Sequence, residues 1–297
     1  MNADDISQNT AAMAASQCIQ IRPTKGWVSV RWAELWAYRE LLFFLMLRDI
    51  TIRYKQTVLG AGWAIIQPVM TMVVFSVIIG RVAKGQSYGL PYPVFFFAAM
   101  LPWTFFSNGL ERASNSLVGN SAILKKVYFP RLVIPISSVL SSFVDFCLAF
   151  LVQIALMIGY SAKGFSFVPM PHVLFLPLLL LIAFMTSLGA GLWLSAMNVQ
   201  FRDVRYAVPF LAQMWFFVTP IIWGSAKFSE PWRTLCGLNP MASVVEGFRY
   251  ALLGRALDPG FAPSSSMIAL SVLSASLLLV GGVFYFARME RTFADVA

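Results

Sequence analysis

Six long blocks of apolar residues constrain the fold of this chain more than any other feature. They lie at about residues 58–80, 92–110, 131–160, 173–197, 206–224 and 267–287, and as helices they are long enough to cross roughly 30 Å of hydrocarbon. Of the 297 residues, 59% are hydrophobic and only 12% are charged, whereas soluble domains carry about 25% charged residues. The pattern therefore predicts an all-α polytopic membrane protein with six transmembrane helices.

The positive residues predict an orientation for these helices. Most Lys and Arg lie before the first block, in the loops after the second and fourth blocks, and after the sixth. Because cytoplasmic segments carry an excess of positive residues, both termini are assigned to the cytoplasm. Residues 1–30 are then a cytoplasmic tail, with Asp4 and Asp5 where a secretory signal needs positive charge. Residues 58–290 form one transmembrane domain, and residues 291–297 form a cytoplasmic C-terminus.

Residues 31–57 are predicted to form an amphipathic helix in the plane of the membrane interface. Acidic and basic residues interrupt an otherwise apolar and aromatic stretch, AELWAYRELLFFLMLRDITIRYKQT, which is the composition of such helices. Both a simple membrane anchor and a platform that also touches a cytoplasmic partner fit this composition.

The loop 113–130 lies on the predicted cytoplasmic side, between the second and third blocks. It contains a segment compatible with a short helix, Asn115 to Val127, and is basic at Lys125 and Lys126. We expect Pro130 to begin the next helix, since proline is tolerated in a first helical turn. The loop suits docking into a cleft of a soluble partner, and a basic loop that only follows the positive-inside rule is the alternative.

Pro102 lies within the second block, where it removes a backbone donor and is expected to kink or break the helix. A broken helix survives in lipid only when protein or a water-filled cavity covers the freed backbone groups. The second helix would then face a transport pathway, and an ordinary proline kink is the alternative.

The external stretch 225–266, between the fifth and sixth blocks, is only partly polar. Its second half contains PMASVVEGFRYALLG, which at 15 residues is too short to cross the membrane. A re-entrant hairpin that caps the outer end of a pore is therefore predicted. Glu246 and Arg249 are three residues apart, so a simple pair on one helix face is also possible.

Motifs for catalysis and metal binding are missing from the sequence. It contains no GxxxxGK[ST] or HExxH pattern and no GxSxG pattern with suitably placed partners, so the chain is not expected to be an enzyme, and ATP-driven work would need a separate subunit. Cys18, Cys147, Cys236 and the single histidine, His172, lack metal-ligand spacing, which indicates free thiols and no metal site. The net charge of +9 comes from short flanks of apolar blocks, unlike the continuous basic face that binds nucleic acid.

Four segments together resemble a known family. They read RDITIRYKQTVLGAGWAIIQPVM, NSAILKKVYFPR, NVQFRDVRYAVPFLAQMWFFVTPIIW and LNPMASVVEGFRYALLG, in this order. They are similar to the successive signatures of permease subunits of type-2 ABC exporters for O-antigen, capsular polysaccharide and wall teichoic acid. The resemblance implies a homodimer of six-span chains in a bacterial inner membrane, with a separate P-loop ATPase subunit beneath each copy. It implies no cofactor on this chain, and ATP and Mg on the ATPase.

The resemblance also implies roles for three regions and a cargo. The helix 31–57 would sit beside the ATPase. The coupling helix would use Asn115, Asn120, Leu124, Lys125, Lys126, Phe129, Pro130 and Arg131. Short external gate helices in the segment 225–256 would use Asn239, Pro240, Glu246 and Arg249. The cargo would be a sugar polymer on a polyprenyl diphosphate, with O-antigen as the first expectation, or on another lipid anchor in capsule systems.

Aromatic residues in three of the blocks are predicted to line the channel, because sugar rings present C–H faces that pack on aromatic rings. The predicted lining residues are Trp63, Trp103, Phe105, Phe106, Trp215, Phe216 and Phe217. Interface belts and contacts between helices use the same residue types, so those roles are the alternative.

Four charged residues in or beside the blocks have predicted roles. Asp145 lies near the middle of the third block, where a carboxylate is costly. It would bond a neighbouring helix, line a wet cavity, or be protonated and structural. Arg81, Lys84 and Arg112 lie at headgroup level and are predicted to contact lipid headgroups, where a guanidinium can bind a diphosphate. Ordinary interface anchoring is the alternative for these three.

Other classes of membrane protein fit less well. A secondary transporter should show intramembrane charged relays or internal repeats, and a membrane-embedded enzyme should show clustered catalytic carboxylates. The sequence has neither pattern. The nearest alternative is a type-2 ABC permease for another cargo, namely teichoic acid, capsule, lipid or a drug.

Overall fold

The fold is helical throughout the part of the chain that the structure describes. The computed structural model describes residues 32–55, 60, 62–82, 87–124, 126, 129–165, 167, 171–254, 257 and 261–290. Every regular element in these ranges is a helix, so the predicted all-α class is confirmed. The predicted tail 1–30 and C-terminus 291–297, together with Lys84 and Lys125, lie outside the described residues.

The helices vary from 4 to 29 residues in length. In chain order they are α1 (Trp32–Ala37), α2 (Arg39–Lys55), α3 (Gly62–Phe75), α4 (Tyr92–Gly119), α5 (Ser121–Leu124), α6 (Val133–Ser161), α7 (Leu176–Gln200), α8 (Val204–Val218), α9 (Trp232–Leu235), α10 (Pro240–Leu253) and α11 (Ser265–Met289). A π-helical stretch, Ser76–Val82, continues α3, and short 3-10 turns, Pro171–Phe175, Ser225–Lys227 and Cys236–Leu238, precede α7, α9 and α10.

Five helices among the described residues are long and apolar enough to cross a membrane, namely α3, α4, α6, α7 and α11, with the flanking turns of α3 and α7. They confirm the polytopic class. The helix in the fifth predicted block, α8, is apolar but has only 15 residues. At about 1.5 Å per residue it is shorter than the roughly 30 Å hydrocarbon core. The count of six spans therefore stays a prediction.

The long helix α4 lies at the centre of the bundle, where it packs against α6, α7 and α10. It continues without interruption through Pro102 to Gly119, so Pro102 does not break the helix, and the kink that was expected as the alternative to a break stays a prediction. The segment from Asn115, predicted to be compatible with a short helix, is helical up to Leu124 apart from the turn at Asn120, with Asn115 in the last turns of α4 and α5 only four residues long. Neighbouring helices bury the end of α4, including Leu117, and this packing extends the helix beyond its apolar block.

Two glycines allow α7 and α11 to pack closely. A Cβ atom on Gly189 would lie 2.6 Å from the backbone nitrogen of Leu279, and one on Gly282 would lie 2.4 Å from the carbonyl oxygen of Gly189. Small residues have this role at helix contacts in membranes, where close van der Waals packing replaces the hydrophobic drive for association.

The helix α10 is buried inside the bundle. All of its residues except Tyr250 are buried, and it contacts α4, α7 and α11. Its 14 residues are too few to cross a membrane. The predicted short gate helix therefore exists as a helix, and its entry from the outer side of the membrane stays a prediction.

Candidate functional site

The helix α2 packs against the predicted coupling loop. Leu45 of α2, Phe129 of the loop, and Val133 and Ile134 of α6 form a small buried hydrophobic cluster. The structure thus brings together two regions that are far apart in sequence and that the family resemblance places beside the same ATPase subunit.

Hydrogen bonds strengthen the contact between α2 and the loop. Arg48 donates from Nη2 to Oδ1 of Asn120 at 2.6 Å and to Oδ1 of Asp49 at 2.7 Å. Asn120 in turn donates from Nδ2 to the carbonyl oxygen of Ser116 at 2.8 Å. The end of α4 and the beginning of the loop are therefore held against α2.

Other predicted coupling residues connect the loop to the rest of the bundle. Asn115 accepts a hydrogen bond from Nδ2 of Asn198 at 3.2 Å, and Arg131 donates to the carbonyl oxygen of Glu290 at 2.7 Å. Lys126 is exposed. Leu124 and Pro130 are half-buried.

A second polar cluster surrounds Asp145 of α6. Arg53 of α2 donates from Nη1 to Oδ2 of Asp145 at 2.7 Å, and Arg112 of α4 donates to the same oxygen. The hydroxyl of Tyr54 donates to the other carboxylate oxygen. Ser141, one turn before Asp145, accepts from both guanidinium groups at 3.4 and 3.2 Å. Of the three roles predicted for Asp145, the structure supports bonding to neighbouring helices.

The contacts of Arg112 and Arg53 were missed by the sequence reasoning. Arg112 was assigned to lipid headgroups, whereas its guanidinium lies in the bundle on Asp145. Arg53 is predicted from the sequence only as one of the charged residues of the amphipathic helix 31–57. One sequence signal could have found them, because a carboxylate inside the membrane requires a cationic partner. Arg81, the other described residue with this assignment, is exposed.

The helix α2 turns part of its charged face inward. Arg48, Asp49 and Arg53 are half-buried against the bundle, whereas an interface helix usually turns its charged residues toward water. Several large apolar side chains of α2 are exposed, namely Phe43, Phe44, Leu47 and Ile52.

Arg249 lies at the centre of the predicted gate region and is fully buried. It donates from Nε to the carbonyl oxygen of Phe95 at 3.2 Å, from Nη1 to that of Pro220 at 2.7 Å, and from Nη2 to that of Ile221. Its guanidinium carbon also lies 4.0 Å from the centroid of the Phe95 ring. Burial lowers the pKa of Arg249 from its usual value to about 10, while the charge of Glu246 acts in the opposite direction.

Glu246 is fully buried one turn before Arg249. Its carboxylate accepts hydrogen bonds from the backbone N–H and, at 2.6 Å, from the hydroxyl of Ser225. Burial raises the pKa of Glu246 above its usual range, while the bonds from Ser225 and the charge of Arg249 act in the opposite direction. Within the described residues, the hydrogen bonds of Glu246 and Arg249 go to groups outside α10, so the predicted simple pair is not the arrangement found.

Asn239 connects the end of α8 to the start of α10. Its Oδ1 accepts from the backbone N–H of Met241 at 3.1 Å, as an N-cap does, and from Nε1 of Trp215 at 2.8 Å. Its Nδ2 donates to Oγ1 of Thr219 at 2.9 Å. Pro240 occupies the first helical position, where its missing N–H costs nothing.

Comparison with known proteins decides the family. A model of the ABC-2 type transporter family matches residues 40–253, which contain the Asp145 cluster, the loop and the predicted gate. The chain belongs to this family.

Three related transporter chains are similar to this ABC-2 permease over most of their length. The O-antigen export system permease protein RfbA of Myxococcus xanthus is 31% identical over 261 residues, which cover 87% of this chain and 96% of that protein. RfbA of Klebsiella pneumoniae is 25% identical over 265 residues, or 86% and 95%. The polysialic acid transport protein KpsM of Escherichia coli is 24% identical over 247 residues, or 83% and 92%.

The predicted channel-lining aromatics of the permease fall into three groups. Trp103, Phe105 and Phe106 are buried in the core, Trp215 and Phe216 are half-buried, and Trp63 and Phe217 are exposed. Ring contacts between α4 and α8, such as Phe106 with Trp215 at 4.8 Å between centroids, hold these two helices together. Among these seven aromatics Trp63 and Phe217 are the most exposed, and the lining role of all seven stays a prediction.

Within the described residues of the permease, no group of three or more His, Cys, Asp or Glu side chains could hold a metal ion. Cys147 and Cys236 are free thiols.

Proposed function

We propose that this permease is the membrane-spanning half of an ATP-driven exporter that moves lipid-linked polysaccharide, with O-antigen as the first candidate, from the cytoplasm to the periplasm. The observation that carries this proposal is the 31% identity to the Myxococcus xanthus O-antigen export permease over 96% of that protein. The buried α10 and the loop packed on α2 support it, since an exporter needs both a barrier and a contact with its motor.

The motor is a separate P-loop ATPase subunit, which binds ATP and Mg. Its docking surface is the face formed by α2, α5 and the described loop residues that follow α4, including Lys126. Exposed Lys126 provides positive charge on this face. The buried cluster of Leu45, Phe129, Val133 and Ile134 packs this face against α6. A movement of the ATPase is transmitted to the helix bundle through this contact.

Two copies of the permease assemble with two ATPase subunits in the bacterial inner membrane, with both termini in the cytoplasm. Trp63 of α3 and Phe217 of α8 are more than half exposed, at 57% and 55%. Side chains on the outside of one copy would line a channel only where a second copy encloses them. The predicted aromatic channel is therefore a property of the dimer.

A capsular polysaccharide is the second candidate cargo. The similarity to the polysialic acid transport protein KpsM favours it, at the lower identity of 24%. A teichoic acid, a lipid or a drug is a further alternative cargo, which a permease of the same architecture would carry.

Docking is tested by copurification of the tagged permease with a P-loop ATPase subunit encoded beside it. We expect Lys126→Glu to reduce the copurified ATPase, because it reverses a charge on the proposed docking face. Lys163→Glu reverses an exposed charge just beyond the opposite end of α6 and is the matched control. Equal ATPase recovery with both variants would contradict the proposed docking face.

The cargo is tested in cells that lack the permease gene. Restoration of surface O-antigen by the plasmid-borne chain, with intracellular accumulation in its absence, is the expected result. Restoration of a capsule with no change in O-antigen would replace the first candidate by the second. No change in any surface polymer would contradict polysaccharide export.

A further inference from the structure

A continuous set of polar contacts joins α2 to both helices that flank the loop 113–130. We call this set the polar seam, and its members are Arg48, Asp49, Arg53, Arg112, Asn120, Ser138, Ser141 and Asp145. Arg48 of α2 donates a hydrogen bond to Asn120, which follows the end of α4. Arg53 of α2 donates a hydrogen bond to Asp145 of α6. Asp49 also accepts from Ser138 of α6 at 3.5 Å.

The helices α2 and α6 run in parallel along the seam. Leu45 packs near Val133 at the start of α6, and further along α2 Arg53 bonds Asp145. Asp145 lies 12 residues after Val133, or about 18 Å along α6. The seam therefore extends from the loop into the apolar part of the bundle.

Arginine side chains from two different helices form ion pairs with Asp145. Arg53 comes from α2 and Arg112 from α4, and both donate to Oδ2 of the carboxylate. The Asp145 side chain is only 10% exposed, and those of Arg53 and Arg112 are 28% and 23% exposed. One carboxylate thus connects three helices in a setting where little water competes for the charges.

We propose that Asp145 is a positioning residue for transport: it locks α2, α4 and α6 into one rigid unit, so that a movement of the ATPase at the loop reaches the membrane-spanning helices. The inference rests on the proposed function, because it assumes an ATPase at the loop. The loop connects α4 to α6, so a push on it would bend the loop or splay the two helices unless something ties them together. The polar seam holds the helices together near the loop, where Arg48 bonds Asn120, and further into the bundle, where Arg53 and Arg112 bond Asp145.

The first test measures ATP hydrolysis and polymer export by the complete complex of permease and ATPase. Asp145→Asn removes the charge and keeps the size of the side chain. We expect assembly and hydrolysis to persist while export per ATP falls by about tenfold, the scale of a typical coupling between distant sites. Asp145→Glu keeps the charge and should restore most of the export.

The matched control is Ser142→Ala. Ser142 is buried on the same helix, three residues before Asp145, and its hydroxyl has no hydrogen-bond partner among the described residues. The Ser142→Ala variant should export polymer at the rate of the unsubstituted permease. If Asp145→Asn exported as well as this control, the locking role would be overturned.

The second test measures the rigid unit directly, by distances between spin labels at Thr51 of α2 and Val118 of α4, both of which are exposed. Only one copy in each complex carries the labels, and native cysteines are replaced by serine. In the labelled permease that keeps Asp145, the distance between the two labels should be the same with and without trapped ATP. In Asp145→Asn the distribution should broaden or shift on ATP binding.

The outcomes separate the two proposals. A distance that changes with ATP in the original chain, or stays equally sharp in Asp145→Asn, would overturn the rigid unit and leave the export function standing. A permease that binds no ATPase subunit would overturn both proposals.

Discussion

The polar seam and the surroundings of Arg249 bury charge in different ways. Arg249 has no exposed surface and donates to three backbone carbonyl groups, which cannot move without displacing the chain itself. Arg53 and Arg112 keep part of their surface exposed and bind side chains, chiefly the carboxylate of Asp145. The side-chain pairs of the seam tie α2, α4 and α6 to one another at partly exposed positions, whereas Arg249 binds buried backbone groups directly.

This difference predicts two kinds of defect. Substitutions around Arg249 should lower the amount of folded protein. Substitutions in the seam should leave the fold largely intact and lower the export obtained per ATP. The following predictions test this contrast, from the largest expected effect on stability to the smallest.

Arg249→Met should have the largest effect. It leaves three buried carbonyl oxygens without their donor, and we expect a loss of about 3 kcal/mol, the upper end of the scale for leaving a buried acceptor unsatisfied. The measurement is the apparent melting temperature and the monodisperse yield in detergent. Arg205→Met, at an exposed arginine of α8, is the control. An Arg249→Met variant as stable as this control would remove the distinction between the two regions.

Gly237→Ala should have the next largest effect. A Cβ atom at Gly237 would lie 2.5 Å from the carbonyl oxygen of Met267, at the contact between the turn before α10 and α11. The cost of such overpacking is about 2 kcal/mol. Gly119→Ala is the matched control, because its Cβ atom would meet nothing within 4 Å. Thermal unfolding of the two variants side by side gives the comparison, and an equal effect would show that the contact near α10 is not tight.

Trp215→Phe should have a smaller effect. It keeps the aromatic ring but removes the N–H group that donates to Asn239, the N-cap of α10. We expect a loss of about 1 kcal/mol, the net value of one hydrogen bond. Trp223→Phe, at an exposed tryptophan, is the control in the same melting assay. A melting temperature that matches the control would mean that this bond does not hold α8 to α10.

Arg48→Gln should have the smallest effect on stability. Its contacts with Asp49 and Asn120 are partly exposed, and such pairs contribute about 0.5 kcal/mol. Export per ATP should nevertheless fall, because the loop loses its bond to α2. Arg81→Gln, at an exposed arginine after α3, is the control for both measurements. If Arg48→Gln melted as early as Arg249→Met, the seam would be a structural joint of the same kind.

The helical blocks could be predicted because their signal is local. A helix in lipid satisfies its own backbone groups, so a long apolar run predicts a helix without knowledge of its neighbours. The end of α4 could not be predicted in this way. Residues between Asn115 and Gly119 are more polar than the block before them, and packing on neighbouring helices extends α4 through them.

The candidate site was predicted in part. The loop, α2 and the α10 segment were identified as separate regions of the sequence. Their contacts were not identified, because Arg53 and Asp145 are 92 positions apart and no sequence spacing connects them. The two hydrogen-bond partners of Asn239 at the end of α8, Trp215 and the following Thr219, were likewise missed.

The amino-acid sequence by itself determined that this chain lies in a membrane, that it is helical, and that it resembles the type-2 ABC permeases, because hydropathy and ordered motifs are properties of the chain. Only the tertiary structure decided that Arg112 turns into the bundle and that α2 turns charged residues inward. The physical reason is that a charge in a medium of low dielectric constant lies where an opposite charge or a carbonyl group meets it. Which group that is depends on how the helices pack.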